Sequence, residues 1–146
     1  MKHHLLALAC LCATPVGAQD IIMYTTTQSY ADVAYSLESE LLNEGLVIDS
    51  ISHVGEMLER TRGDVGSDTV LYKAADSYSF CSATLSREVM EANPLNIAFC
   101  PYDIFIAETA DSSGHVLIGY RSFPEGEMQK VQDFLDSIVR AAIGQE

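Results

Sequence analysis

Near its C-terminus the chain carries an apolar stripe that can be satisfied in few ways. Met128, Val131, Leu135, Ile138 and Ala142 recur at steps of three, four, three and four residues, which places them on one side of an α-helix. Pro124 stands ahead of them, and a helix start tolerates its missing N–H. A helix patterned this way must lay its stripe on a second layer. The clearest candidate for that layer comes just before it. "YDIFIAE", Tyr102 to Glu108, and "HVLIGYR", His115 to Arg121, are joined by the turn residues "DSSG", Asp111 to Gly114. They read as a β-hairpin.

The rest of the chain supplies more of both layers. "DIIMYTT", Asp20 to Thr26, has the β-branched and aromatic content of a first strand. Ser29 with Asp32 three residues on opens a helix in the manner of a capping box, with Asp in place of Glu. Tyr30, Val33, Ala34, Leu37 and Leu41 form its apolar face, and Gly45 is placed to stop it. "LVIDSISHV", Leu46 to Val54, reads as a strand without clean alternation. Met57, Leu58 and Thr61 carry a short helix ended by Gly63 and Gly66. Thr69 to Cys81 has a strand's composition, with Asp76-Ser77 marking a bulge. Ser82 to Ala92 reads as a short helix with Leu85, Val89 and Met90 facing inward, stopped at Asn93-Pro94. The order β-α-β-(short α)-β-α-β-β-α predicts an α+β two-layer sandwich. Its sheet of about five strands is mostly antiparallel, with helices packed on one face.

The N-terminus sets the expected compartment. In "MKHHLLALACLCATPVGAQD", Lys2 precedes an apolar run from Leu5 to Ala13, and Val16-Gly17-Ala18 offers small residues before a cut at Gln19. This is the pattern of a cleavable signal peptide over residues 1–18. The run falls short of the ~20 apolar residues of a spanning helix. The residues around Cys10 and Cys12 fit a lipobox poorly. The expected product is a single domain over residues 19–146, periplasmic or secreted, with no membrane anchor once the leader is gone. The whole chain has a formal net charge of −13. The leader holds Lys2 and no acidic residue, so −13 less that one positive charge leaves −14. Such a surface repels nucleic acid and anionic lipid.

The segment "YSFCSATLSREVMEANPLNIAFCPYDIFIAETADSSGHVLIGYR" resembles the core signature of the domain of unknown function 302 family. In that signature a strand ends in Cys-Asn-Pro. A short helix and an Asp/Asn-Pro step follow, then a strand entered through a second cysteine, and a hairpin. The helix-Gly-strand unit Ser29 to Val54 is similar to the family's start. Here Cys81 is followed by Ser82-Ala83, and Cys100 is followed rather than preceded by proline. The resemblance implies a small two-layer α+β fold, frequently dimeric, and no established activity.

Cys81 and Cys100 are the only cysteines after the leader, with eighteen residues between them. If the strands they flank ran parallel, the two would lie at opposite sheet ends, beyond the ~7 Å Cα separation a disulfide allows. If the strands are antiparallel, both lie at one end, and the resemblance implies that arrangement. Three readings stay open. A disulfide is natural in an oxidising compartment and would stabilise by roughly 3 kcal/mol on loop-entropy grounds. Two reduced cysteines acting as small core residues is the second. The third is a redox pair or a soft-metal site, in which copper(I) would take both thiolates with Met90 between them in sequence. No C-x-x-C or zinc-ligand spacing is present.

His53 and His115 are the only histidines after the leader, each at a strand end. Asp103 follows Tyr102 on a strand, either near Cys100 or simply facing water. Tyr24, Tyr72, Tyr78, Tyr102 and Tyr120 are spread over the strands, either lining a pocket or packing. No catalytic set or phosphate loop is legible. The sequence therefore points to a binding or accessory module that is not an enzyme, with no cofactor. Its expected partners are a second copy or a small ligand near Cys81 and Cys100. The alternative is a thiol redox or copper protein built on that pair.

Overall fold

The computed structural model describes residues 20–145, so the expected leader lies outside the described residues. Five strands form one fully antiparallel sheet in the order β1-β5-β4-β3-β2. They are β1 (Ile21–Thr26), β2 (Val47–Ser52), β3 (Tyr72–Cys81), β4 (Tyr102–Thr109) and β5 (Val116–Arg121). The helices are α1 (Tyr30–Asn43), α2 (Val54–Thr61), α3 (Ala83–Ala92) and α4 (Gln129–Ala142), with a 3₁₀ segment at Pro94–Phe99. This is the expected α+β two-layer fold. Among the described residues no helix is long and apolar enough to cross a membrane.

Local chemistry explains the helix limits. The Ser29 side chain accepts from the Asp32 N–H and starts α1. At its far end Gly45 has φ +72°, and two bonds close the turn: Gly45 N–H to Leu42 C=O at 3.0 Å and Leu46 N–H to Leu41 C=O at 2.9 Å. That paired pattern is a Schellman motif, and the buried Leu41 and Leu46 accompany it as such motifs usually require. Ser82 caps α3 by accepting from the Leu85 N–H.

The core forms where the helix stripes meet alternate strand residues. Val33, Leu37 and Leu41 of α1 and Val131, Leu135 and Ile138 of α4 are buried with Tyr78, Phe80, Tyr102, Ile104, Ile106, Ile118 and Tyr120. Close approach matters at Gly119. A Cβ there would collide with the Ile22 carbonyl oxygen and come within 2.8 Å of the Met23 Cα, so the β1–β5 pairing leaves no room for a side chain.

Several limits differ from expectation. α4 begins at Gln129, not at Pro124, because Gly126 takes φ +94° and interrupts any earlier helix. In α2 the buried residue is Gly55, pressed against the β3 backbone, while Met57 is exposed. The irregular alternation of β2 has a cause, a register shift between Ile48 and Ser50. In β3 the shift lies between Tyr72 and Ala74, not at Asp76-Ser77. Past the Asn93-Pro94 stop, the segment Pro94–Phe99 makes 3₁₀ turns.

Candidate functional site

β3 carries both places where reactive side chains gather. Its first half borders a cleft of about 750 Å³ walled by α2, whose lining includes Tyr30, Glu56, Arg60, Tyr72, Lys73 and Asp76. Three elements converge at Asp76. Tyr30, in the first turn of α1, donates its hydroxyl to Asp76 Oδ2 at 2.8 Å. His53, the residue before α2, places Nδ1 2.8 Å from Asp76 Oδ1.

A carboxylate that holds two partners fixes their orientation. With Nδ1 engaged, the imidazole keeps Nε2 for solvent or a ligand. The His53 side chain is 57% exposed, whereas that of Asp76 is 17% exposed. The hydrogen bond to Asp76, and then its charge, raise the His53 pKa above the ordinary imidazole value. Burial, and then the bond to Asp76, push the Tyr30 phenol upward, so it stays a donor. On the cleft wall Glu59 is paired with Arg62 at 3.0 Å, and Lys73 with Glu108 at 2.8 Å. Arg60 has no ion-pair partner among the described residues.

The second place is the far end of β3. Phe80 pairs with Tyr102, so the next residues outward bring Cys81 and Cys100 to the same sheet end. Both cysteines are free, partly exposed, and have their Sγ atoms 2.6 Å apart. Burial, followed by the interaction with Cys100, pushes the Cys81 thiol up to about 12. The Cys100–Pro101 peptide bond is cis. Met90 packs against the core. Among the described residues no group of three His, Cys, Asp or Glu side chains could hold a metal ion. A smaller cavity of about 230 Å³ beside Cys100 is lined by Phe99, Pro101, Asp103 and Arg121, among others. Asp103 bonds to the Ser79 hydroxyl and lies 3.6 Å from Arg121.

The sheet tyrosines mostly tie the layers together. Tyr24 and Tyr120 both donate to Asp136 Oδ1 on α4, at 2.7 and 2.8 Å. The Tyr102 hydroxyl accepts from Ser86 on α3 at 3.1 Å. Of the five, Tyr72 lines the large cleft. His115 lies just before β5.

Sequence reasoning left Tyr30 as one apolar-face residue and Asp76 as a bulge marker. The legible signal was parity. Asp76 shares the strand face of Tyr78 and Phe80, and an acid on a core-facing position needs donors.

A family model described as "Domain of unknown function DUF302" matches residues 22–142. The chain belongs to the DUF302 family. No match is found among curated proteins. Among solved structures, the crystal structure of an uncharacterized conserved DUF302 protein from Bacillus stearothermophilus aligns with a TM-score of 0.54 and 20% identity, covering 82% of this chain and 86% of that one. At that identity the likeness shows the fold alone. The departure from the DUF302 Cys-Asn-Pro step has a structural reading: Ser82 stands where the signature has Asn, and it caps α3, a duty Ser and Asn perform about equally well.

Proposed function

We propose that this DUF302 chain is an exported, non-enzymatic binding domain that takes a small ligand in the cleft between α2 and β3. The Tyr30–Asp76–His53 relay carries this reading. It costs three polar side chains from three elements and orients an exposed imidazole beside a cleft large enough for a small molecule. Arg60 offers an uncommitted guanidinium on the same wall, so an anionic group, a carboxylate above all, is the natural complement. The leader pattern supports export, which would bring Cys81 and Cys100 into an oxidising compartment.

The test is a titration of the ¹⁵N-labelled chain from Gln19 onward with acetate, succinate and citrate as probes. Saturable shifts confined to Tyr30, His53, α2 and Tyr72–Asp76, lost in Arg60→Ala, support the reading. Shifts elsewhere, or none, overturn it. Secretion from a bacterial host with cleavage before Gln19, read by intact mass, tests the export half separately.

A further inference from the structure

We propose that Cys81 and Cys100 form a dithiol–disulfide pair that closes by exchange with an external disulfide and clamps the α3–3₁₀ excursion between β3 and β4. This does not depend on the cleft, and depends on export only for where the external disulfide is met.

The antiparallel β3–β4 pairing decides the geometry. Its last partners are Phe80 and Tyr102, so the chain leaves the sheet after Cys81 and re-enters it at Tyr102, two residues past Cys100. Everything between is one excursion, α3 and the 3₁₀ segment. The two Sγ atoms are already in contact at 2.6 Å with both thiols free. The backbones are therefore placed for a covalent link without rearranging either strand, the condition most cysteine pairs fail. Both residues are partly exposed, so a small disulfide can reach them.

The soft-metal reading fares worse on the same observations. An ion held by two thiolates needs space between the sulfurs, and here they touch. Met90 is committed to core packing.

The chemistry balances in two steps. One protein thiolate attacks a sulfur of the external disulfide. The external S–S bond breaks, a mixed disulfide forms, and one external thiol leaves. The second protein thiolate then attacks the protein sulfur of that mixed disulfide and expels the other external thiol. The protein has lost two protons and two electrons, and the external disulfide has been reduced to two thiols. Closing the link shortens the loop available to the unfolded chain and stabilises the native one.

The experiment uses the chain from Gln19 onward, which contains every described element. The reduced protein is equilibrated with oxidised and reduced glutathione over a range of ratios, alkylated under denaturing conditions, and weighed. The expected result is two alkyl groups at reducing ratios and a single transition to a species with none. That species is lighter by two hydrogens and maps to a Cys81–Cys100 linked peptide. The oxidised form should melt roughly 10 °C above the reduced form. Cys81→Ser and Cys100→Ser should each retain one alkylatable or glutathionylated thiol and lose the transition. Thiols that stay alkylatable at every ratio overturn the proposal. So do glutathione adducts that never resolve in the unsubstituted chain, intermolecular linkage in place of the internal one, and stoichiometric copper(I) binding that protects both thiols from glutathione disulfide.

Discussion

Asp76 is the residue on which the cleft's electrostatics turn. It faces His53 and Tyr30 directly, and Glu56 adds to the negative field at His53. Because the folded-state pKa of His53 is raised above its unfolded value, its contribution to stability is fully present below about pH 6.5 and is lost as pH rises through the folded value. Asp76→Asn removes the charge but keeps an acceptor. We expect the His53 ring to titrate closer to the ordinary imidazole value, with the loss of stability across neutral pH becoming shallower. NMR of the ring protons measures this, with His115 as internal reference. An unchanged His53 titration would show that Asp76 does not hold the proton. At this scale the sequence was only partly legible. His53 and Asp76 lie 23 positions apart, and no spacing rule announces a contact made across a strand and a helix start.

At the scale of elements, two residues of similar length consequence should behave differently on substitution. Leu135 of α4 is fully buried against the sheet, so Leu135→Ala should cost about 2–5 kcal/mol through lost transfer and an unfilled cavity. Ser29 accepts from the Asp32 N–H and donates to the Asp32 carboxylate at the exposed start of α1, and Ser29→Ala should cost about 1 kcal/mol. Urea denaturation of both variants measures the difference. Equal losses would mean that the α1 cap carries as much of the fold's stability as the α4 stripe. The periodic α4 stripe and the capped α1 were readable because a 3.6-residue repeat and a Ser at N-cap are local signals. The true start of α4 was not, because it depends on Gly126 taking a positive φ, which a proline four residues ahead of the stripe does not reveal.

For the whole molecule, charge is the dominant long-range term. From Gln19 onward the chain carries a formal −14, and its few cations are largely paired at the surface, as Arg87 with Glu91 and Lys130 with Glu88 and Glu127. Exposed pairs contribute little, so self-repulsion should prevail. The urea midpoint should rise as sodium chloride is raised to about 0.15 M, where screening reaches about 8 Å. A midpoint that falls would mean that the surface pairs outweigh the repulsion.

Fold class and layer assignment were written along the chain, because burying one helical stripe and a set of alternating strands leaves an α+β sandwich as the economical arrangement. Membership in the DUF302 family was legible for the same reason, through two cysteines and the elements between them. Which residues meet was not. A sheet ordered β1-β5-β4-β3-β2 joins positions that sequence distance keeps apart. The antiparallel pairing of β3 with β4 turned two separated cysteines into touching sulfurs. The packing of α1 and α2 over the start of β3 turned a presumed bulge residue into the acceptor shared by Tyr30 and His53. Local propensity acts over a turn or a strand's length, whereas these contacts arise only when the layers close.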